Sequence, residues 1–141
     1  MLFDPDNPVV QLCAAGMAVD GDADAASALF ARAWDARRDD FDASVAAHFV
    51  ARHQPTPELT LEWNLRAVQH AEVVTDGRAN ELLASLYLNL GDAYRIVGQL
   101  TEASSAAQKA SDAVTHLPLG GYRDFVLLGI ERLHSRLAEP R

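Results

Sequence analysis

Three aspartates at alternate positions, in the segment DGDAD, have the spacing of a metal-binding loop. Asp20, Asp22 and Asp24 would supply carboxylate oxygens, the ligands that Ca²⁺ prefers. A loop of that type also needs glycine at its sixth position and a bidentate glutamate at its twelfth, where this chain has Ala25 and Ala31. We therefore reject calcium binding and expect the three acids to stabilise the N-terminus of a helix.

Histidine and cysteine, the other common metal ligands and catalytic groups, are few and scattered. The five histidines, which show no H-x-x-x-H or Cys/His ligand spacing, are His48, His53, His70, His116 and His134. Cys13 falls at an expected packing position, which favours a buried thiol over a nucleophile. The chain also lacks G-x-S-x-G, Walker and dinucleotide-binding motifs. The sequence therefore predicts no catalytic residue, metal site or cofactor, and a protein that is not an enzyme.

Acidic side chains outnumber basic ones by 20 to 12, which gives the 141-residue chain a formal net charge of −8. Most of this charge lies in residues 1–42, which hold nine acids and three arginines. Nucleic acids and anionic membranes bind basic surfaces. We therefore expect neither a nucleic acid nor a membrane among the partners.

The cysteine content and the N-terminal residues both indicate the cellular compartment of the protein. One cysteine cannot form an internal disulfide, which fits a reducing cytosol. The first eight residues, MLFDPDNP, carry acids where a secretory signal needs positive charge, and no apolar run reaches membrane-spanning length. Eleven of the twelve basic residues are arginine, a bias typical of GC-rich bacterial genomes. These features predict a cytoplasmic bacterial protein.

The stretch 81–114 contains the pattern around which the helices are organised. Two sets of residues recur at helical spacing, one before and one after Gly98. They are Tyr87, Leu90, Gly91 and Tyr94, and then Ala103, Ala107 and Ala110. Gly91 has no side chain, so a partner helix can approach its backbone closely. Gly98 suits a left-handed helix terminus, and Thr101 is expected to cap the next helix.

This order, aromatic-x2-Leu-Gly-x2-Tyr, then glycine, then Ala-x3-Ala-x2-Ala, resembles the tetratricopeptide repeat. Two weaker copies and a final helix continue the resemblance. The first copy has Val10, Cys13, Ala14 and Met17, then Ala26, Phe30 and Ala33. The second has Val45, Ala46 and Phe49, then Thr60, Asn64 and Ala67, and the final helix has Phe125, Leu128 and Gly129.

Helix starts are predicted at three places. Asn7 before Pro8 and Thr56 before Pro57 combine a capping residue with proline at the first helical position. Asp40 or Asp42 is expected to cap the helix between them. The spacing between copies departs from the usual 34-residue period. This favours a longer-helix variety of the repeat, in which residues 71–81 extend the helices.

The resemblance implies an all-α fold and one domain spanning residues 1–141. It would be an α-α superhelix of three helical hairpins, at about 8–38, 41–74 and 79–115, closed by a capping helix at about 121–137. A plain up-and-down helical bundle is the structural alternative.

The resemblance also implies where a partner would bind. First helices of such repeats line the concave wall, and an Asn directly before the Leu-Gly pair contacts the ligand backbone, a place that Asn89 matches. The other positions left free on this helix are Ser85, Leu88, Asp92 and Arg95. Arg95, Arg123 and His134 would add positive charge. Leu12, Leu88 and Leu127 would form an apolar strip suited to an amphipathic helix or an apolar peptide.

The predicted function is therefore a non-enzymatic adaptor that holds a peptide or protein segment in its concave face. One alternative is a homodimer whose groove is filled by its own twin. Another is an enzyme or small-molecule binder with an enclosed pocket near Trp34, Trp63 and the histidines.

Overall fold

A computed structural model describes residues 4–139 and contains no strand within that range. The protein is all-helical, as predicted. Its seven α-helices are α1 (Pro8–Ala18), α2 (Ala23–Asp35), α3 (Asp40–Val50), α4 (Pro57–Glu72), α5 (Leu83–Ile96), α6 (Leu100–Ala113) and α7 (Gly121–Ala138). Short 3-10 helices follow α3 at Ala51–His53 and α6 at Val114–His116. None of the helices in residues 4–139 has the length and hydropathy needed to cross a membrane.

The chain divides into two compact units, Met1–Val74 and Thr75–Arg141. In the first unit, α1 contacts both α2 and α3, and α3 also contacts α2 and α4. In the second unit, α5, α6 and α7 each contact the other two. Within each unit, therefore, consecutive helices pack against each other, and the first helix also packs against the third.

The starts of the first-unit helices follow local capping chemistry. The Asn7 side chain accepts a hydrogen bond from the Val9 backbone, and Thr56 does the same for Leu59, as predicted. The cap of α3 is Asp39, so the prediction of Asp40 or Asp42 was wrong. Asp39 has extended backbone angles and accepts a hydrogen bond from the Asp42 backbone at 2.8 Å, because a capping residue must lie outside the helix it caps.

The packing register of α1 differs from the prediction. Val9, Cys13 and Gly16 are buried, whereas Ala14, the predicted crossing point, is exposed. The helices α1 and α2 instead cross at Gly16, where a Cβ would lie 2.7 Å from Cδ1 and 2.9 Å from Cζ of Phe30. The Phe30 ring of α2 therefore determines which face of α1 is buried.

The other first-unit helices pack largely as their patterns indicate. Ala26, Phe30 and Ala33 of α2 are buried, as are Asn64 and Ala67 of α4, while Thr60 is only half-buried. Every residue of α3 from Phe41 to Ala47 is buried. This follows from its position, since α3 is in contact with all three other helices of the unit.

The α5–α6 hairpin confirms the predicted crossing in the second unit. Gly91 is buried, and a Cβ there would lie 3.4 Å from the Ala103 carbonyl oxygen and 3.5 Å from the Ala106 Cβ. Gly98 has a φ of +86°, as a left-handed helix terminus requires. Thr101 does not cap α6, because the helix already begins at Leu100 after a Gln99 that makes no side-chain capping bond.

Two further predictions about helix extent and face were wrong. Residues 73–82 lie outside the α-helices, with Gly77 at a φ of +88°, so 71–81 does not extend the helices beyond Glu72. The buried face of α7 consists of Val126, Ile130 and Leu133. Phe125 and Leu128, predicted to pack, are 74% and 43% exposed.

Candidate functional site

The predicted binding residues of α5 lie against α7 in the second unit. The Ser85 hydroxyl and the Tyr122 hydroxyl are hydrogen-bonded to each other. Leu88 packs against α7 at Gly129, where a Cβ would lie 2.7 Å from Leu88 Cδ2. Leu127 also packs against the core of this unit. Leu88 and Leu127 are thus largely used in folding, which leaves less apolar surface for a ligand than the sequence indicated.

The charged candidates on α5 are paired with each other. Arg95 contacts the Asp92 carboxylate at 2.9 Å, and Arg136 of α7 lies 3.8 Å from the same carboxylate. Asn89 is half-buried on the same helix. The structure therefore brings Asp92, Arg95 and a residue that the sequence did not single out, Arg136, into one cluster. The role of Asn89 in gripping a peptide stays a prediction.

The remaining two candidates make contacts within the second unit. Arg123 donates a hydrogen bond to the Leu117 carbonyl at 3.1 Å, and His134 Nε2 lies 3.3 Å from the Ser111 hydroxyl. Both side chains thereby connect α7 to the segment that precedes it. Their contribution to ligand binding is untested.

An aromatic cluster forms in the first unit where the pocket alternative placed its site. The rings of Trp34 and Trp63 meet edge to face with centroids 5.1 Å apart, and His70 lies 6.0 Å from Trp34. The guanidinium groups of Arg37 and Arg66 lie over the two indoles at 4.0 and 4.3 Å. These cation–π contacts cover ring faces that a small molecule would use.

The other first-unit histidines lie elsewhere. His53 stacks on Phe30, and His48 packs against Phe49. Burial, aided by the charge of Arg52, lowers the pKa of His48 to about 4, so this imidazole is neutral at physiological pH. Residues 4–139 contain no group of three potential metal ligands. Within the first unit, His48 and His53 therefore contact other rings than His70 does.

The aspartates of DGDAD serve structural roles. Asp22 caps α2 by accepting a hydrogen bond from the Ala25 backbone. Asp20 pairs with Arg52 at 2.6 Å and with His53 at 2.7 Å. The hydrogen bond from Arg52, followed by that from His53, lowers the pKa of Asp20 to about 2. Asp22 thus stabilises the N-terminus of a helix as predicted, whereas Asp20 pairs with the segment that follows α3.

A recess in the first unit was not anticipated from the sequence. It has a volume of about 90 Å³ and is lined by five apolar residues of α1 and α3. We call it the α1–α3 recess; its lining residues are Val10, Cys13, Ala14, Val45 and Phe49. The one available signal was the composition of α1, since Pro8–Ala18 contains no charged residue.

The thiol in this recess is chemically protected. Burial raises the pKa of Cys13 to about 12, because a thiolate is poorly solvated among apolar groups. We expect native Cys13 to react with Ellman's reagent at pH 8 at least about 100-fold more slowly than in urea. A Cys13→Ala, Ala15→Cys variant carries an exposed thiol on the same helix and is expected to react at the free-thiol rate. Equal rates for native Cys13 and this control would contradict the described burial.

Comparison with known proteins found no family model, no curated protein and no solved structure that matches the chain. The tetratricopeptide resemblance therefore stays a prediction.

Proposed function

We propose that the chain is a non-enzymatic protein-binding module built from tetratricopeptide-like helical hairpins. The pattern of neighbours within each unit supports this, since α1 packs on α2 and α3, and α5 packs on α6 and α7. Repeats of this kind stack each new hairpin on the one before it, so that first helices become neighbours. The α-α superhelix of that family is part of the proposal.

The α1–α3 recess is the observation that carries the proposed binding site. It lies between the first helices of two consecutive hairpins, which form the ligand-facing wall in such repeats. All five lining residues are apolar, and 90 Å³ suits an apolar side chain better than a polar group. Of the five lining residues, Ala14 is exposed, so we place the mouth of the recess beside it.

The charge of the first unit indicates the chemistry of the partner. Residues 1–74 hold twelve acids and five arginines, a net formal charge of −7. The helix α1 is uncharged and the five lining residues are apolar, so the acids of this unit lie outside the recess lining. Such a surface favours a basic peptide that inserts one large apolar side chain, with the charges speeding association and selecting against acidic partners.

Selection from a phage-displayed library of random peptides tests this proposal. We expect the enriched peptides to share a large apolar residue flanked by Lys or Arg. Their affinity for the purified protein, measured by fluorescence anisotropy, is expected to fall as salt rises. Enrichment of acidic peptides, or of peptides without an apolar anchor, would contradict the proposal.

Filling the recess provides the matched control. Ala14→Phe places a ring at the mouth and is expected to weaken binding of the selected peptides at least about 30-fold. Ala15→Phe changes the next exposed residue of α1, outside the recess lining, and is expected to leave the affinity unchanged. Equal affinities for the two variants would show that the peptide binds elsewhere.

A further inference from the structure

The volume of the α1–α3 recess limits the size of the side chain that it can enclose. The recess measures about 90 Å³. In another protein, an engineered apolar cavity of about 150 Å³ holds one benzene molecule. By proportion, the recess encloses roughly four carbon-sized atoms. This is the size of a Leu, Ile or Met side chain, whereas the side chains of Phe and Trp are considerably larger.

The buried part of the lining has little room to move aside for a larger group. Cys13 of α1 is 2% exposed and Val45 of α3 is 1% exposed. Val45 also lies within the run from Phe41 to Ala47, in which every residue is buried. Protein interiors are closely packed, so displacing either side chain would force its neighbours out of their preferred positions.

The aromatic part of the lining is held from behind by a second ring. The centroids of Phe49 and Phe30 lie 5.5 Å apart. Phe30 is 1% exposed and lies directly against the backbone of α1 at Gly16. Phe49 therefore cannot move towards Phe30 to widen the recess.

From these observations we infer that the recess selects a peptide whose anchor is Leu, Ile or Met over one whose anchor is aromatic. This inference rests on the proposed function, because it specifies the anchor of the same basic peptide. The lining can enclose an aliphatic side chain of this size. A Phe or Trp ring would leave part of its surface in water or displace a lining residue. One methylene too many or too few in an apolar pocket changes the affinity about 10- to 200-fold, which sets the scale of the preference.

Fluorescence anisotropy with a series of matched peptides tests this inference. One peptide from the library selection is synthesised with Leu, Ile, Met, Phe or Trp as its anchor, and its flanking Lys and Arg residues are kept. The aliphatic anchors are expected to bind the full chain at least about 10-fold more tightly than Phe or Trp. Binding of the Phe or Trp peptide as tight as that of the Leu peptide would overturn the inference.

Enlarging the recess tests whether its volume causes the preference. Val45→Ala removes methyl groups from the lining and is expected to reduce the preference for Leu over Phe at least about 5-fold. Val10→Ala does the same at a half-buried position, where truncation disturbs the core less. Val68→Ala is the matched control, because Val68 is a buried valine of α4 outside the recess lining. An unchanged preference in both enlarged variants, or an equal change in the control, would overturn the inference.

The Ala14→Phe variant distinguishes failure of this inference from failure of the proposed function. If Ala14→Phe weakens binding while a Phe anchor binds as tightly as Leu, the peptide occupies the recess and only the size selection is wrong. If Ala14→Phe leaves the affinity unchanged, the peptide binds elsewhere and both proposals are wrong.

Discussion

Gly16→Ala is expected to lower the free energy of unfolding by about 2 kcal/mol, although alanine is the better helix former. The added Cβ would meet three atoms of the Phe30 ring, all closer than 3 Å. That ring is 1% exposed and is held by Phe49 at 5.5 Å and His53 at 6.4 Å between centroids, so it has little room to move. Urea denaturation followed by circular dichroism measures the loss.

Gly91→Ala is the matched control for this prediction. Its Cβ would come closest to Leu133 Cδ2, at 2.8 Å, which is the end of a flexible side chain. Gly91 also lies mid-helix, where alanine gains about 0.5–1 kcal/mol in helix propensity. The net change is therefore expected to stay within about 1 kcal/mol. If Gly16→Ala proved as mild as Gly91→Ala, the described α1–α2 crossing would be wrong.

Asp42→Ala is expected to cost about 3 kcal/mol in the free energy of unfolding. The Asp42 side chain is 0% exposed and accepts three hydrogen bonds. The donors are the Asn7 amide at 2.7 Å, the Arg38 backbone at 3.1 Å and the Arg38 guanidinium at 2.9 Å. Truncation would leave the buried Asn7 amide without its acceptor. Asn7 is also the residue that caps α1. Urea denaturation at pH 7 measures this cost.

Two experiments distinguish the contribution of the Asp42 carboxylate to stability from that of the Arg38 guanidinium. They are the Arg38→Met substitution and urea denaturation over a range of pH. The Arg38 side chain is 59% exposed, so water partly replaces its charge, and its replacement is expected to cost less than truncation of Asp42. Burial raises the pKa of Asp42, but the hydrogen bonds from Arg38 and Asn7 outweigh it, and the net pKa is lowered. This stabilisation is therefore present above the ordinary pKa of aspartate and is lost as pH falls through the lowered value. Equal costs for Asp42→Ala and Arg38→Met would contradict the description.

The parts of the fold that sequence predicted well have unambiguous local signals. Asn7 before Pro8 and Thr56 before Pro57 each combine a capping side chain with a proline that begins a helix. Gly98 is flanked by two amphipathic patterns, so its left-handed conformation could be predicted from residue type. Gly91 occurs in a helix with a clear polar side, which defines its buried side as well.

The misplaced registers occur in helices that are apolar on several sides. The helix α1 has no charged residue, so the choice between Ala14 and Gly16 depends on the Phe30 ring of another helix. In α7, residues 125–128 are four consecutive apolar residues, and an error of one position moves Phe125 from solvent to core. Periodicity cannot resolve either case, because it needs a contrast between apolar and polar faces.

The candidate site was harder to predict than the fold. The resemblance directed attention to α5, where Ser85, Leu88 and Asp92 prove to be engaged with α7 or with nearby charges. The α1–α3 recess depends on how two helices separated by more than twenty residues meet. Because of that distance along the chain, the absence of charged residues from α1 was the only local signal.

The most direct test of the proposed binding site is an NMR titration of the full chain with a peptide from the library selection. Binding in the α1–α3 recess is expected to shift the methyl resonances of Val10, Ala14 and Val45, which line it. Those of Val126 and Ile130, in the core of the second unit, are expected to remain in place. Shifts confined to the second unit, with Val10, Ala14 and Val45 unchanged at saturation, would contradict the account.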